Sequence, residues 1–374
     1  MKRDFADGGN CGGGVWPPLQ WRTMATDLKS TDTPIFLVGA TGTGKSAGAM
    51  EVARDWARAG VRTAVLCMDA MQVYRGADIG TSKPTAAERA EVPHGGLDLA
   101  ELSTSPHARF DVAQYLKHAE AFLREQREAG RRVIIVGGTG LYFRALTRGL
   151  CEAPQGSEEL RMELAGLSVE ELRERLRKVD PGMLERIDAS NPRRLARAIE
   201  VMESTGRSLR EWQEETPEPL VREYTALWIE REKAELSQRI EARVEAMFSQ
   251  GWVDEVQKLV ERYGLEAVQR FAGIGYREIA EGLREPDQIS KSTKFPNFEE
   301  GGGKKAKRGS GRSLTLQEAL KSDICVSTRQ YAKRQLTWFA REPILQKVML
   351  TGNKPLSEAL RVAVAAHGRC CARQ

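Results

Sequence analysis

The sequence predicts an α/β fold: a P-loop-containing parallel sheet flanked by helices, with a helical insertion domain. Three observations predict it. Residues 39–46 read GATGTGKS, which fits the phosphate-cradling pattern G-x-x-x-x-G-K-[ST]. Apolar and amphipathic segments alternate between residues 34 and 147, as in sheets whose parallel strands are joined by helices. From about residue 148 to residue 223 the strand-like segments stop, and charged helical patterns replace them.

The P-loop lies between a predicted strand over 34–38 and a predicted helix over 47–58. In that context, backbone N–H groups and the helix N-terminus face an anion. The residues expected to bind the phosphate groups are Gly39, Ala40, Thr41, Gly42, Thr43, Gly44, Lys45 and Ser46. Lys45 would add a positive charge, and Ser46 would offer a hydroxyl ligand to Mg²⁺, the cofactor that the motif indicates. The motif by itself identifies neither the phosphate compound nor its reaction.

The remaining elements follow in order. Further strands are predicted over 61–68, 132–136 and 224–229. Helices are predicted over 110–129, 169–179, 191–205 and 208–214, followed by long helices over 233–263 and a last helix containing 328–341. The expected organisation is a disordered N-terminal tail (1–32), a catalytic core (33–147 and 224–350), a helical insertion domain (148–223) and a C-terminal tail (351–374). Residues 284–313 are of low complexity, which predicts a disordered insertion within the core.

Composition excludes several classes of protein. The chain has 374 residues, 41% of them hydrophobic, and no apolar run approaches the ~18 residues of a membrane span. Six scattered cysteines without a C-x-x-C pair, and only four histidines, suggest neither a zinc site nor a disulfide framework. We therefore expect a cytoplasmic protein without a membrane partner. A net charge of +5 means that any nucleic-acid surface must be a local patch.

Three polar residues follow predicted strands and are candidates for catalysis: Asp69, Thr139 and Arg231. Because ligands bind beyond the carboxyl ends of parallel strands, we expect them to face one crevice. Asp69 is a magnesium ligand, a general base or a turn aspartate. Thr139 contacts the phosphate, the metal or an acceptor, or it caps the next helix. Arg231 clamps phosphate, or it is a surface arginine.

Two basic helices are candidates for binding RNA. Arg193, Arg194 and Arg197 fall on one predicted helix of the insertion. The last helix carries four basic residues and no acidic residue between 327 and 341, interleaved with aromatic side chains. Basic helices with aromatic residues are typical of RNA binding, although a solvated charged face gives the same pattern.

Taken together, an ordered series of segments resembles the tRNA dimethylallyltransferases (tRNA isopentenyltransferases), of the bacterial type. After the P-loop, the series consists of 69–76 (DAMQVYRG), 78–84 (DIGTSKP), 92–94 (VPH), 137–142 (GGTGLY), 191–198 (NPRRLARA), 273–277 (GIGYR) and 328–339. The resemblance covers most of residues 35–341. One departure is Ala70, where the family commonly has serine; it affects the fine positioning around Asp69.

The resemblance implies transfer of a dimethylallyl group from its diphosphate to N6 of the adenosine 3′-adjacent to the anticodon, in tRNAs that read codons beginning with U. The P-loop would then hold the leaving diphosphate. Lys45, Ser46, Mg²⁺ and Arg231 would stabilise its charge, while Asp69 would act as the base and Thr139 would lie near the reacting groups. The adenine would have to leave its stack to enter the crevice.

The same resemblance assigns residues to the tRNA interface. They are Asp69, Ala70, Met71, Gln72, Arg161, Arg193, Arg194, Leu195, Ala196, Arg197, Gly275, Tyr276, Arg277, Arg329, Lys333 and Arg334. The expected partners are the tRNA anticodon stem-loop and dimethylallyl diphosphate, and the protein is expected to be a monomer. Competing hypotheses are an adenylate isopentenyltransferase that uses free AMP, ADP or ATP, a small-molecule P-loop kinase, and an RNA-binding module with a vestigial P-loop. The two basic helices favour tRNA over a free nucleotide.

Overall fold

A six-stranded parallel sheet forms the centre of the protein. The computed structural model describes residues 33–105, 110–215, 218–284 and 316–352. The sheet order is β3-β2-β4-β1-β5-β6, and every neighbouring pair is parallel. The strands are β1 (Ile35–Gly39), β2 (Thr63–Met68), β3 (His94–Gly95), β4 (Arg132–Gly137), β5 (Thr225–Arg231) and β6 (Gln346–Leu350).

Helices cover both faces of this sheet. In chain order they are α1 (Lys45–Arg58), α2 (Ala86–Glu91), α3 (Val112–Glu128), α4 (Gly140–Arg148), α5 (Glu158–Ala165), α6 (Val169–Val179), α7 (Pro181–Leu184), α8 (Pro192–Thr205), α9 (Leu209–Glu214), α10 (Lys233–Ser249), α11 (Trp252–Tyr263), α12 (Leu265–Arg270), α13 (Tyr276–Arg284) and α14 (Leu316–Phe339). No helix in these ranges is both long and apolar enough to cross a membrane.

The central strand β1 shows why the sheet is buried on both sides. Its side chains alternate between the two faces, as in any strand. Ile35 and Leu37 join the apolar cluster that contains the buried face of α1. Phe36 and Val38 join the opposite cluster, which contains the buried faces of α3 and α4. A strand that is apolar at every position is therefore what this parallel sheet requires.

Local signals fix several helix ends. Asp111 begins α3 with a capping box, in which its side chain accepts from the N–H of Gln114. Asn191 caps α8, whose first residue is Pro192, and Gly206 ends that helix at φ 69°. These short-range patterns explain why the sequence predicts the boundaries of α3 and α8 to within two residues.

The helices α5–α9 form the helical insertion. They share an apolar cluster that includes Leu164, Leu172, Leu176, Leu195 and Ile199. The chain enters this unit after α4 and returns from it to β5, which lies beside β1 in the sheet. The predicted α/β class with a helical insertion is confirmed.

The predicted long helices over 233–263 are α10 and α11, which are separated by Gly251 at φ 92°. The structure corrects the predicted elements in two other places. The last helix begins at Leu316, twelve residues before the predicted segment. β3 and β6 were not predicted, because β3 has two residues and β6 is a half-exposed edge strand. The predicted disordered segments (1–32 and 284–313) and the predicted C-terminal tail (351–374) lie largely outside the described residues and stay predictions.

Candidate active site

Four adjacent strands end at one edge of the sheet and bring the predicted site residues together. Asp69 directly follows β2, Thr139 lies two residues after β4, the P-loop follows β1, and Arg231 ends β5. These strands are neighbours in the order β2-β4-β1-β5. The register is level, because Gly137 of β4 pairs with Met68 of β2 and with Val38 of β1. The four segments therefore face a common crevice.

The P-loop has the backbone conformation that its glycines allow. Gly42 and Gly44 have φ values of 82° and 89°, in the left-handed region that favours glycine. At Gly39 a Cβ atom would lie only 2.5 Å from the carbonyl oxygen of Ile229, so a side chain there would push β5 away. Thr43 is fully buried and donates its hydroxyl to the carbonyl of Ala40, 2.9 Å away, which closes the loop on itself.

Lys45 lies in the P-loop with its Nζ 3.1 Å from the carbonyl oxygen of Ala40, to which it donates. Burial lowers the pKa of Lys45 to about 8, and the negative charge of Asp69 opposes that shift while the positive charge of Arg243 adds to it. A bound anion would favour the charged form of the lysine.

Asp69 and Thr139 organise the turn that follows β2. One oxygen of Asp69 accepts a hydrogen bond from the N–H of Met71 at 2.8 Å, which is the turn geometry typical of aspartate. Thr139 occupies the N-cap position of α4, but its side chain makes no capping bond. Its hydroxyl instead accepts from the N–H of Ala70 at 3.1 Å. The threonine therefore connects the two strand ends next to the carboxylate.

Arg231 lies behind the P-loop and is almost completely buried. Its Nε donates to the carbonyl of Thr43 at 2.9 Å, and its Nη1 donates to the carbonyl of Gly352 at 2.9 Å and pairs with Glu235. In this arrangement the guanidinium supports the loop backbone. Its predicted contact with phosphate stays a prediction.

Two arginines on α10 complete the positive environment of the crevice, and sequence reasoning missed both. Arg239 donates to the carbonyl of Gly42 at 3.0 Å. Arg243 donates to the hydroxyl of Thr41 and, at 3.1 Å, to the hydroxyl of Ser82. Their separation of four residues puts them on the same helix face. Because that spacing is common in helices, the sequence carries no specific signal for these two arginines.

The segment 78–84 forms a second wall. Gln72 donates its Nε2 to the carbonyls of Thr81 and Ser82, at 3.0 and 3.1 Å, so its amide is used to hold this loop. Glu255 of α11 accepts the backbone N–H groups of residues 78–80. A cavity of about 570 Å³ borders this loop and Arg243. The amide of Gln72, which was predicted to contact tRNA, is therefore already hydrogen-bonded within the protein.

Apart from residues 69–72 of the crevice, the residues predicted to contact tRNA divide into three groups. Five are exposed cations: Arg193, Arg194, Arg277, Lys333 and Arg334. Arg161, Arg197 and Arg329 are half-buried, and each bonds a neighbouring group, such as the carbonyls of residues 153 and 154 for Arg197. Leu195 and Tyr276 are fully buried, Gly275 is also buried with φ 93°, and Ala196 is half-buried. For Leu195 and Tyr276 the side chains serve the core, so any RNA contact would involve their backbone.

Comparisons with known proteins agree with this geometry. Residues 72–342 match the family model described as IPP transferase. The chain is 40% identical over 322 residues to a tRNA dimethylallyltransferase of Methylacidiphilum infernorum, covering 86% of this chain and 87% of the relative. It is 36% identical to a tRNA dimethylallyltransferase of Syntrophobacter fumaroxidans, covering 83% and 82%.

A solved structure gives the same result. The full-length tRNA isopentenylpyrophosphate transferase from Bacillus halodurans is 29% identical in sequence, with a TM-score of 0.57. The likeness covers 90% of this chain and 96% of that protein. With a P-loop, a strand-end aspartate and the GGTGLY turn assembled at one edge of the sheet, and with relatives matched over most of their length, this chain belongs to the tRNA dimethylallyltransferase (IPP transferase) family.

Proposed function

We propose that this chain transfers a dimethylallyl group from dimethylallyl diphosphate to N6 of the adenosine 3′-adjacent to the anticodon, in tRNAs that read codons beginning with U. The observation that carries the proposal is the position of Asp69 at the end of β2, at the same edge of the sheet as the P-loop that contains Lys45. A general base beside a diphosphate cradle is what an alkylation with a diphosphate leaving group needs.

The donor half of the crevice stabilises the leaving group. The P-loop would hold the diphosphate through its backbone N–H groups, and Lys45 would donate to a phosphate oxygen. Arg243 of α10 lies within electrostatic reach of Lys45 and Asp69, while Arg239 reaches the loop at Gly42. As the allylic C–O bond breaks, negative charge grows on the departing oxygen, and these fixed cations stabilise it.

The residues present fit a magnesium ion that is held together with the substrate. Ser46 is exposed at the start of α1, so its hydroxyl would be available to help hold the ion. Among the described residues, no group of three or more acidic, histidine or cysteine side chains could bind a metal without the substrate. Mg²⁺ is commonly bound through substrate phosphates and water, with few protein ligands. When bound, it would supply additional neutralisation of the diphosphate charge.

The acceptor half of the crevice takes up the proton that the adenine amine loses. The adenine N6 amine forms a bond to the allylic carbon while the carbon–oxygen bond to diphosphate breaks. The proton lost from N6 passes to the carboxylate of Asp69, so the products are the alkylated adenosine, diphosphate and a protonated base. Thr139, held by the N–H of Ala70, fixes the turn in which this carboxylate lies.

The tRNA would bind through exposed cations on the helical insertion and on α14. Arg193 and Arg194 lie at the beginning of α8, and Lys333 and Arg334 lie on α14. Such cations neutralise backbone phosphates. A free adenine nucleotide needs no surface of this extent, which supports tRNA over AMP as the acceptor.

The monomeric state of the enzyme stays a prediction. The described cysteines, Cys67, Cys151 and Cys325, are free thiols. Free thiols support a reducing, cytoplasmic setting.

The experiment that tests the proposal follows labelled dimethylallyl diphosphate in the presence of Mg²⁺ and an unmodified tRNA anticodon stem-loop. We expect label in the RNA and release of diphosphate. A matched stem-loop with guanosine in place of the 3′-adjacent adenosine should stay unlabelled. Transfer to AMP while the stem-loop stays unlabelled would favour the adenylate isopentenyltransferase instead, and ATP-dependent phosphorylation of a small acceptor would favour a kinase.

A further inference from the structure

Gln335 of α14 joins two segments of the crevice that are far apart in sequence. Its Oε1 accepts the backbone N–H of Thr41 in the P-loop at 2.8 Å. Its Nε2 donates to the carbonyl of Gly138, directly before Thr139, at 2.9 Å. The side chain is only 7% exposed. One amide therefore fixes the start of the phosphate-binding loop relative to the turn that contains Thr139.

Glycines in the GGTGLY turn make this contact possible. A Cβ atom at Gly138 would lie 2.2 Å from Nε2 of Gln335, so the glycine is what allows the amide to approach. A Cβ atom at Gly140 would likewise lie 2.4 Å from the ring of Trp338. Two successive turns of α14 are thus packed directly on the GGTGLY turn.

The opposite face of the same helix segment is exposed and basic. Ala332 and Gln335 are buried, whereas Lys333 and Arg334 between them are exposed. Ala332 packs in a cluster with Ala40 of the P-loop. This helix segment therefore has cations on one face and contacts the P-loop on the other. A displacement of the helix at its basic face can be transmitted to the P-loop.

We propose that Gln335 is a positioning residue that couples tRNA binding on α14 to the geometry of the donor site. When RNA phosphates bind Lys333 and Arg334, α14 is fixed, and Gln335 then holds the N–H of Thr41 and the carbonyl of Gly138 in the arrangement that binds the diphosphate. The two substrates therefore bind with positive cooperativity. This inference rests on the proposed function for the identity of the two ligands. It assigns a positioning role to Gln335, which in this arrangement contacts neither ligand.

The test compares Gln335→Met with the wild-type protein. Methionine keeps the length and volume of the side chain but makes neither hydrogen bond. Gln330→Met is the matched control, because Gln330 lies on the same helix and is exposed. Titration calorimetry measures the Kd of inorganic diphosphate with Mg²⁺, for the protein alone and for the protein saturated with the anticodon stem-loop.

We expect the stem-loop to lower the diphosphate Kd of the wild-type protein and of Gln330→Met by at least about fivefold, the lower end of typical coupling between sites. For Gln335→Met, the stem-loop should lower the diphosphate Kd by less than about twofold. The kcat of this variant should be reduced about tenfold, while its Kd for the stem-loop stays unchanged. If Gln335 had a merely structural role, Gln335→Met would lower Tm without changing the ratio of the diphosphate Kd values without and with the stem-loop. An unchanged ratio in Gln335→Met, or a wild-type ratio of one, would overturn the inference. Absence of transfer by the wild-type protein is a separate outcome, which would overturn the proposed function instead.

Discussion

The crevice and the helical insertion both contain many arginines, but they use them differently. In the crevice, Arg239 and Arg243 donate to neutral oxygens of the P-loop, 197 and 202 residues away in sequence. In the insertion, Arg175 pairs with Glu163 and Glu203, at most 28 residues away. Other arginines there pair with glutamates one helix turn away, as Arg210 does with Glu214.

The difference teaches what each region can bind. A guanidinium bonded to a carbonyl or hydroxyl keeps its net positive charge, so the crevice retains a field that attracts a polyanion. An arginine paired with a carboxylate contributes little net charge beyond its neighbourhood. The positive surface of the insertion therefore depends on its exposed cations, such as Arg193 and Arg194 at the N-terminal end of α8. Four predictions test this contrast between chemistry in the crevice and binding on the insertion.

The largest effect is expected from Asp69→Asn. Asparagine keeps the oxygen that accepts from the N–H of Met71, so the turn is preserved while the base is removed. We expect the single-turnover transfer rate to fall about 10²- to 10⁴-fold, the usual contribution of a general base. The Kd of the anticodon stem-loop, measured by filter binding, should change less than about twofold. Asp254→Asn, on the exposed side of α11, is the control. Equal losses of rate and affinity would indicate that Asp69 serves binding rather than catalysis.

Lys45→Met should weaken diphosphate binding about 10- to 100-fold at pH 7, as expected for a charge-assisted hydrogen bond. Because the pKa of Lys45 is lowered to about 8 in the unliganded protein, the lysine is charged below that pH and loses its proton above it. The advantage of the wild-type protein over Lys45→Met should therefore be largest below pH 8 and shrink as pH rises further.

Titration calorimetry of diphosphate between pH 6.5 and pH 9.5 measures this ratio. Dividing by the Lys45→Met value removes the titration of diphosphate itself. Lys258→Met, an exposed lysine on α11, should bind diphosphate like the wild-type protein at every pH. A wild-type advantage that stays constant across this range would contradict the assignment of Lys45 as the titrating group.

A smaller effect is expected from Arg194→Ala in the insertion. Removal of one phosphate contact should reduce the slope of log affinity against log salt by about one unit and weaken tRNA binding at low salt. The transfer rate at saturating tRNA should stay the same, which is the reverse of the result for Asp69. Arg58→Ala, a 77% exposed arginine on α1, is the control. If the salt slope does not change, Arg194 is not part of the interface.

The smallest effect is expected from Arg175→Ala, which removes the two ion pairs that join α6 to α5 and α8. Partly exposed pairs stabilise proteins by at most about 1 kcal/mol each, so the free energy of unfolding should fall by about 1–2 kcal/mol. Urea unfolding measures this free energy. Arg177→Ala breaks one exposed pair with Glu174 and should lower the free energy of unfolding by a smaller amount. A changed transfer rate at saturating substrates would show that the two regions are not energetically separate.

Residues of the crevice that follow strands were predictable, and residues that reach it from helices were not. Asp69 and Thr139 follow apolar strands, and parallel strands end at a common edge, so their proximity follows from sequence order alone. Arg243 and Gln335 reach the P-loop from α10 and α14, and which helix face meets a loop depends on packing among elements distant in sequence. Their types carry no special pattern, since arginine and glutamine are ordinary helix residues.

The same reasoning explains why Leu195 and Tyr276 are less informative than their motifs suggest. Both belong to segments that resemble tRNA-binding motifs, yet the structure places their side chains inside apolar clusters. A sequence motif contains residues that contact the ligand and also buried residues that hold these contacting residues in place. Burial, which the sequence indicates only through periodicity, separates Leu195 from Arg194.

The bond between Thr41 and Gln335 spans 294 residues, and this has a consequence for the order of events during translation. The P-loop leaves the ribosome early, whereas the helix that fixes it is among the last described segments to be made. Closing so long a loop is entropically costly and slow, and domains fold as their parts emerge. A nascent chain can thus form the early strands of its sheet while its phosphate-binding loop still lacks a partner. The donor site is therefore finished only after α14 has been made.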